Sequence, residues 1–461
     1  MEQKIQYAGE FFIKELKIHT SSGNIIDFTE SDSVLGIEIY EDIFSTSLTG
    51  SLILVDVDNI SENGPVIGQE FLTLKIGTPS LGEYDISFTF NIHKVSAKLD
   101  VNKNAQVLSL SFITPELLRN NRTRVSKSYT ETISNIIQDV LKDPRYINTK
   151  KKLFIEDTAG IRKVVSPNYH PYKFISNLTN EAISNSGSQN FVFFENIKGI
   201  HFKTLDHIMQ SETVGDYAMG DVGTIDGKTG DKGKAVDIEK DFKKPMGMGI
   251  ISNNDMLLNT MSGMLGSKII KYDIYNKTYE VNRYGYFSDF EENKTISPNP
   301  VYNNNSIDEF GNNVGMFSDA RIFLQPTSIS GTDVTQTNET SSYSYTQNGL
   351  TNKLLQRRAK ITELNSGINI ALKVNGNTTI SIGETINIKL PVSGRVHEGG
   401  DFDAYYSGKY IITKLKHQFD NTNKKHIIEM NAAKDSITTK LPNNSEAIEP
   451  NTGSGETYTV G

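Results

Sequence analysis

The sequence predicts an α+β fold that is mainly β, with two related antiparallel β-barrels and α+β modules inserted between them. Three observations predict this fold. Alternating apolar and polar residues are concentrated at the two ends of the chain, helical periodicity lies between them, and one short motif recurs in both end regions. The chain has 461 residues, which is enough for about three domains of ordinary size.

Composition excludes several classes of function. The chain contains no Cys, which rules out disulfides, thiol catalysis and cysteine-based zinc or iron–sulfur sites. The formal net charge is −8, whereas a nucleic-acid-binding surface needs an excess of basic residues. No apolar run approaches the roughly 18 residues of a transmembrane helix, and the first residues lack the apolar core of a signal peptide. We therefore expect no membrane insertion and no secretion by the general route.

Residues 1–113 are predicted to form the first barrel. Residues 86–93 alternate apolar and polar side chains with period two, as do residues 72–76 and 108–112. Such segments bury one face and expose the other. Because turn residues separate the segments at short intervals, the pattern indicates an antiparallel barrel or sandwich.

Residues 114–215 are predicted to form an α+β insertion domain that begins with a helix over about 129–142. Ser128 and Glu131 have the spacing of a capping box at its start, and Pro144 follows its end. One face of this helix is apolar, with residues at positions i, i+3, i+4, i+7 and i+8. These residues are Ile133, Ile136, Ile137, Val140 and Leu141.

A second helix in this domain is predicted to begin at Pro171, since proline is favoured at the first helical position. Its apolar side would carry Phe174, Ile175, Leu178 and Ala182. A hairpin is then expected between residues 191 and 202, turning at 196–199.

Residues 216–345 are predicted to be a linker followed by a second insertion module, part of which could complete the second barrel. Residues 218–249 are rich in Gly, Asp and Lys, which is typical of a mobile loop or linker. A Met-rich helix and Tyr-rich strands are expected between 256 and 290, and an apolar island lies at 321–324.

Residues 346–438 are predicted to form the second barrel, because residues 368–374 and 386–390 alternate regularly. Residues 439–461 are expected to be a flexible tail, since they contain few side chains that could be buried.

A weak repeat links the two ends of the chain. Residues 67–76 and 382–390 both place Gly and Glu just before an alternating strand that ends in Lys and an aliphatic residue, and each is followed by a strand pair. One interpretation is that any two β-meanders look alike. The other is that one β-barrel module occurs twice, with the remaining domains inserted between the two copies.

No catalytic, cofactor-binding or metal-binding residues are predicted. The chain has no pair of His with the spacing of a metalloprotease, no nucleophile elbow and no dinucleotide-binding fingerprint. His417 and His426 are expected on adjacent strands, but the sequence indicates no carboxylate partner for them. We therefore expect a protein that is not an enzyme.

Four segments, in this order, resemble a known family: residues 39–70, 111–142, 171–202 and 407–417. The positions that carry the resemblance as structural residues are Tyr40, Asp42, Gly50, Asp56, Gly68, Glu70, Pro115, Phe174, Leu178, Gly383, Glu384, Gly408, Tyr410 and His417. The chain resembles the baseplate hub proteins of contractile-tailed bacteriophages, which are related to the N-terminal hub region of type VI secretion spike proteins.

This resemblance implies a structural virion component in the tail baseplate, assembled in the cytoplasm of the host bacterium. Hub proteins of this family form a homotrimeric ring with a central channel, and each subunit contributes two tube-type β-barrels. Six barrels then match the sixfold tail tube to the threefold spike. The implied partners are a spike protein, a tail tube or tube-adaptor protein, baseplate wedge proteins and DNA that passes during ejection without specific binding.

The type VI relatives continue into a long spike on the same chain. This sequence does not, so a separate spike protein is expected. Two alternative functions remain open from the sequence. A β-rich carbohydrate-active enzyme would need two separated carboxylates in a cleft. A trimeric receptor-binding protein would instead expose a distal tip to host cells.

Overall fold

The computed structural model describes residues 5–56, 66–79, 85–102, 105–219, 238–252, 254–273, 277–291, 294–304, 311–316, 318–327, 347–391 and 402–441. Its first part is built from strands whose alternate side chains are buried, as their sequence pattern predicts. These strands are β1 (Phe12–His19), β2 (Ile25–Asp27), β3 (Val34–Asp42), β4 (Thr49–Asp56), β5 (Phe71–Gly77), β6 (Ile86–Asn102) and β7 (Ala105–Ile113). We call them the first half-sheet.

The next part of the chain is a compact α+β unit with its own apolar core. In chain order it contains α1 (Pro115–Arg122), β8 (Ser128–Glu131), α2 (Ile133–Lys142), β9 (Leu153–Ile155), β10 (Arg162–Val165), α3 (Pro171–Glu181), β11 (Phe191–Asn196), β12 (Gly199–Thr204) and α4 (Leu205–Gln210). The predicted apolar face of α2 is buried, α3 begins at Pro171, and β11 and β12 form the predicted hairpin.

The predicted capping box at the start of the first long helix is wrong. Ser128 and Glu131 belong to β8, which pairs with β10, so neither residue caps a helix. The helix begins four residues later than the predicted start, and Thr132 is its N-cap, with its hydroxyl accepting a hydrogen bond from the Asn135 amide at 3.4 Å. Tertiary pairing thus decides the structure of a segment whose local spacing also suits a cap.

The remaining described elements extend to residue 437. They are β13 (Thr213–Ala218), α5 (Ile238–Lys243), β14 (Gly247–Ser252), α6 (Met256–Ser262), β15 (Gly266–Asp273), β16 (Thr278–Gly285), α7 (Tyr286–Phe290), β17 (Asn299–Pro300), β18 (Ile322–Thr327), α8 (Gln347–Ser366), β19 (Ile368–Asn375), β20 (Thr385–Lys389), β21 (Gly408–Asp420), β22 (Lys425–Lys434) and β23 (Ser436–Ile437). Strands β13, β14 and β19 to β22 form the second half-sheet.

Two sequence predictions in this region need correction. The second barrel predicted over residues 346–438 begins with the 20-residue helix α8, whose polar residues interrupt any apolar stripe. The predicted linker at 218–249 contains α5 and the start of β14, so its ends belong to ordered elements. Residues 220–237 of that linker, like residues 442–461 of the predicted tail, lie outside the described residues.

The two half-sheets join into a single sheet of 13 strands. Its main path is β14-β19-β22-β21-β3-β4-β7-β6-β5-β1-β2, and β20 branches from β21 with β13 beside it. Each half-sheet covers an apolar core of its own, and β15, β16 and α8 contribute to a fourth core. The mainly β, α+β fold is confirmed, while closure of either half-sheet into a barrel stays a prediction.

Within the described ranges, no helix is both long and apolar enough to span a membrane.

Candidate functional site at the junction of the two half-sheets

The two half-sheets repeat the same pairing pattern. Strands β4, β7, β6 and β5 of the first half-sheet are neighbours in that order, and β19, β22, β21 and β20 of the second half-sheet follow it. The long strands β6 and β21 each contain a register shift at the same place, between Ile92 and Lys94 and between Ile412 and Lys414. Strands β3 and β14 occupy equivalent positions beside β4 and β19.

The recurring Gly–Glu motif has the same structural role in both half-sheets. The backbone amides of Ile92 and Ile412 donate to the carbonyl oxygens of Glu70 and Glu384, each at 2.9 Å. The buried Glu70 carboxylate accepts the amides of residues 67, 68 and 69 at 2.8 to 3.0 Å, and the Glu384 carboxylate accepts the Ser381 amide at 3.1 Å. Each carboxylate therefore fixes the loop before its strand.

Glycine is required in both of these loops. Gly68 has φ of +94° and Gly383 has φ of +70°, a region that other residues adopt at a cost. A Cβ atom on Gly383 would also lie 2.5 Å from the ring of Phe194. The glycine thus allows the hairpin of the inserted α+β unit to pack directly against the second half-sheet.

Strand β21 is where the two half-sheets meet. Residues 408–411 of β21 pair with β20, and residues 414–420 pair with β3 on the same side, with Lys414 opposite Asp42 and Asp420 opposite Gly36. One long strand therefore belongs to the second half-sheet and also pairs with the edge of the first. This junction covers an edge of β3 that would otherwise be open.

A buried carboxylate ties three parts of the chain together at the junction. Glu41, on β3, accepts hydrogen bonds from the Ser381 hydroxyl at 2.7 Å, the Ile382 amide at 3.0 Å and the Ile197 amide at 3.2 Å. Glu41 is only 3% exposed. Because Ile197 belongs to the β11–β12 turn, Glu41 connects the first half-sheet, the second half-sheet and the inserted unit.

The predicted histidine pair lies beside this carboxylate. His417 and His426 are on adjacent strands, as predicted, and both are fully buried. His417 Nδ1 lies 3.1 Å from His426 Nε2, and His417 Nε2 lies 3.5 Å from Glu41 Oε1. The carboxylate neighbour was missed from the sequence, because Glu41 reaches the histidines only through the β3–β21 pairing.

The burial of the histidine pair and the hydrogen bond between its rings favour a structural role. Burial, together with the nearby His417, lowers the pKa of His426 well below its usual value, so that ring is neutral in the folded protein. The two rings hydrogen-bond directly to each other, which leaves no space for an ion between them. In the ranges that the structure describes, no group of three or more His, Cys, Asp or Glu side chains is placed to hold a metal ion.

The open face of the junction carries alternating charges. Lys416 on β21 lies 2.8 Å from Glu38 on β3 and 3.9 Å from Glu429 on β22, and Glu429 also pairs with Lys373 on β19 at 2.9 Å. Lys373, Lys416 and Glu429 line a groove of about 580 Å³ that runs across β3, β21, β22, β19 and β14. Burial and the neighbouring Glu38 raise the pKa of Tyr40 to about 12, so its hydroxyl stays protonated.

A second buried ion cluster attaches the inserted unit to the first half-sheet. Lys151 pairs with both Glu195 and Glu116. Glu195 also accepts hydrogen bonds from the Thr114 hydroxyl at 2.9 Å and from the Leu48 amide at 3.3 Å. Burial raises the pKa of Glu195 despite the opposing effect of Lys151, whereas Lys151 lowers the pKa of Glu116 against the effect of burial.

The other positions that carry the family resemblance are distributed through the fold. Gly50 of β4 has no room for a side chain, since a Cβ atom would lie 2.3 Å from the Phe112 ring. Tyr410 is fully buried, and its hydroxyl donates to the Tyr406 carbonyl. The rest are Asp56, buried at the end of β4; Pro115, first in α1; Phe174 and Leu178, buried on α3; and Gly408, with φ of +128° at the start of β21. The structure therefore gathers Tyr40, Asp42, Gly383, Glu384 and His417 around the junction and distributes the others through the rest of the fold.

No protein-family model matches the sequence, and no curated protein matches it. Among solved structures, a 43 kDa tail protein of prophage MuSo2 from Shewanella oneidensis is 10% identical, with a TM-score of 0.50, and the match covers 92% of this chain and 99% of that one. A tail protein from Neisseria meningitidis is 9% identical, with 92% and 97% coverage and a TM-score of 0.49. An E. coli type VI secretion component is 11% identical, with 88% and 74% coverage and a TM-score of 0.41.

The first of these matches defines the class of fold. The chain has a fold that it shares over nearly its whole length with the Shewanella prophage tail protein. The resemblance predicted from the sequence is confirmed at the level of the fold.

Proposed function

We propose that this protein is the structural hub of a contractile phage-tail baseplate, in which three copies form a ring around a central channel. The observation that carries the proposal is the pair of equivalent half-sheets within one chain, joined through β3 and β21. Three copies would present six such units around one axis. A ring of this kind can bind a threefold spike on one side and a sixfold tail tube on the other.

The partners of such a hub follow from this symmetry. The sixfold surface takes a tail tube or tube-adaptor protein, the threefold surface takes a spike protein, and the rim contacts baseplate wedge proteins. The protein would be a virion component of the tail baseplate, assembled in the cytoplasm of the host bacterium. The fold that the chain shares with a prophage tail protein supports this placement.

The polar residues of the junction support a scaffold function over catalysis. The Glu41 carboxylate is occupied by three hydrogen bonds from the loops it connects, and the His417–His426 pair is buried behind it. Such residues hold elements together and are closed to a substrate. This protein would therefore act as a hub without enzymatic activity of its own.

The open face of the junction suits a channel that DNA crosses without being held. Nonspecific DNA binding depends on lysine and arginine side chains that can replace counterions on phosphates. Here Lys416 lies between Glu38 and Glu429, and Lys373 lies beside Glu429, so each lysine already has a carboxylate neighbour. Passage of DNA during ejection would meet a surface of balanced charge.

Localisation within the particle tests the proposal. Antibody-labelled tails imaged by electron microscopy should carry the label where the tail tube meets the spike, and light scattering should give the purified protein three times the chain mass of 51.3 kDa. Label at an exposed distal tip together with saturable binding to host cells would support a receptor-binding protein instead. Turnover of cell-wall glycans above the buffer rate would support a carbohydrate-active enzyme.

A further inference from the structure

Three ionisable side chains are buried together where α8 packs against the end of the second half-sheet. Lys360 and Glu363 are on α8, and Asp435 lies between β22 and β23. Asp435 is fully buried, and Lys360 and Glu363 are 6% and 7% exposed. Their neighbours Ala359 and Leu364 belong to two different apolar cores, so the cluster lies between these cores. Lysine and acidic side chains are rarely buried to this extent without close partners.

The two carboxylate oxygens of Asp435 have different partners. Oδ2 accepts a hydrogen bond from the ammonium group of Lys360. Oδ1 accepts hydrogen bonds from the Ile296 amide at 3.1 Å and from the Ser436 hydroxyl at 2.7 Å. Two donors aimed at one oxygen stabilise negative charge that develops there during a reaction. One oxygen is therefore in contact with an amine, and the other is held as an oxyanion would be.

Glu363 supplies a protonated acid beside this pair. It lies on the same face of α8 as Lys360, because residues three apart in a helix are neighbours. Burial, together with the nearby Asp435, raises the pKa of Glu363 to about 8, so its carboxyl group carries a proton at neutral pH. The Tyr286 hydroxyl lies 3.4 Å from Glu363 Oε1 and donates to it.

The direction of the Lys360 amine is also fixed. Its Nζ donates to the Lys294 carbonyl at 3.1 Å as well as to Asp435. Burial acts to lower the pKa of Lys360, but the attraction of Asp435 raises it overall, so the two residues begin as an ion pair.

We propose that Lys360 and Asp435 form an isopeptide bond within the folded chain, an amide that joins Nζ of the lysine to Cγ of the aspartate. The reaction releases one water molecule and needs no cofactor or second protein. It happens once in each chain, so it is a self-modification and goes beyond the proposed function, on which it does not depend. The bond joins residues 75 positions apart in a chain that has no cysteine for a disulfide.

The first step is a proton transfer within the ion pair. A proton of the Lys360 ammonium moves to Asp435 Oδ2, and burial favours this transfer because it removes two charges from a site of low dielectric constant. The Nζ lone pair then attacks Cγ. The electron pair of the Cγ–Oδ1 double bond moves onto Oδ1, where the Ile296 amide and the Ser436 hydroxyl stabilise it.

Glu363 completes the proton transfers. Its carboxyl proton passes to Oδ2, the electron pair on Oδ1 re-forms the double bond, and the Cγ–Oδ2 bond breaks with release of water. The new amide nitrogen gives its extra proton to the Glu363 carboxylate, so Glu363 returns to its original state. Lys360 also lines a polar cavity of about 80 Å³ beside α8, which can receive the water.

Intact mass spectrometry of the purified full chain tests the bond without any variant. The denatured protein should be lighter than its sequence mass by one water molecule, about 18 Da. Trypsin should not cleave after Lys360, because its amine is blocked. Residues 359–373 and 435–440 should therefore appear as one branched peptide, whereas a water lost elsewhere in the chain leaves these two peptides separate.

Variants identify the contribution of each group. Lys360→Arg and Asp435→Ala each remove one reacting partner and should restore the full sequence mass. Glu363→Gln removes the acid and should leave most of the chain unlinked. Lys353→Arg is the matched control, because Lys353 lies two turns before Lys360 on α8 and donates to the Gly187 carbonyl, outside the cluster. This control should keep the loss of one water.

The outcomes separate an amide from an ordinary buried ion pair. A wild-type chain with its full sequence mass, or separate recovery of the two peptides, would overturn the proposal. Retention of the branched peptide in Lys360→Arg would also overturn it, since arginine has no amine to supply. Complete linkage in Glu363→Gln would overturn the role of Glu363. Loss of linkage in the Lys353 control would show that the result depends on the packing of α8, against the chemistry proposed for the cluster.

Discussion

Removing the Glu41 carboxylate should loosen the junction of the two half-sheets. The Glu41→Ala variant loses the acceptor of three hydrogen bonds, from the Ser381 hydroxyl and the Ile382 and Ile197 amides. A hydrogen bond to a charged group contributes about 1.5–3 kcal/mol, and a buried donor left without an acceptor costs about 1–3 kcal/mol. Because these contributions are not fully additive, we expect the free energy of local opening to fall by about 3–6 kcal/mol.

Hydrogen exchange measures this opening directly. A loss of about 3 kcal/mol corresponds to exchange roughly 100-fold faster for the amides of Ile197 and Ile382, since about 1.4 kcal/mol is a factor of ten. The control is Glu38→Ala on the opposite face of the same strand, which removes a partly exposed ion pair with Lys416 worth about 1 kcal/mol or less. Equal exchange rates in the Glu41 and Glu38 variants would refute the account of the junction.

Three further variants test individual features of the fold. Gly383→Ala should lower the free energy of unfolding by about 2–4 kcal/mol, because the new side chain meets both a positive φ and a clash with Phe194. Gly23 also has positive φ but lies in open space, so Gly23→Ala should lower the free energy of unfolding by only about 1–2 kcal/mol, and similar urea midpoints for the two variants would contradict this. Burial raises the pKa of Glu363 to about 8, so Glu363→Gln should be tolerated at pH 7. Wild type should lose stability as pH rises from about 4.5 toward 8, because the unfolded chain releases this proton and the folded protein keeps it. The variant should not show that loss, and an unchanged pH profile would contradict this. Burial lowers the pKa of His426, so below about pH 6.5 the unfolded chain binds a proton there that the folded protein does not bind. His426→Gln should therefore make the loss of stability in acid less steep, by up to about 1.4 kcal/mol per pH unit in urea titrations. An equally steep loss in the variant would contradict this prediction.

Local patterns in the sequence predicted the elements whose structure depends on one buried face. The alternation of residues 72–76 and the apolar stripe of α2 both describe a face that packs against a core, and both elements are confirmed. Helix α8 was missed because its apolar residues do not follow one stripe. Strand β14 was missed because Gly247 and Gly249 resemble a linker until β19 pairs with them.

The junction was visible in the sequence only in part. The repeated Gly–Glu motif led to Gly383 and Glu384, since the loop before a strand is a local feature. Glu41 was missed, because its partners come from parts of the chain that are distant in sequence and meet only through the sheet topology. Sequence periodicity says which face of β3 is buried, but it does not say which strand lies beside it.

The central claim is that the half-sheet is a unit used twice in each chain and six times in the assembled hub. A cryo-electron microscopy reconstruction of the tail tests it most directly. We predict three copies of this chain around the axis, with six half-sheets at nearly equal spacing. Copies that present a single half-sheet to the ring, or half-sheets that lie apart from the tube axis, would contradict the claim.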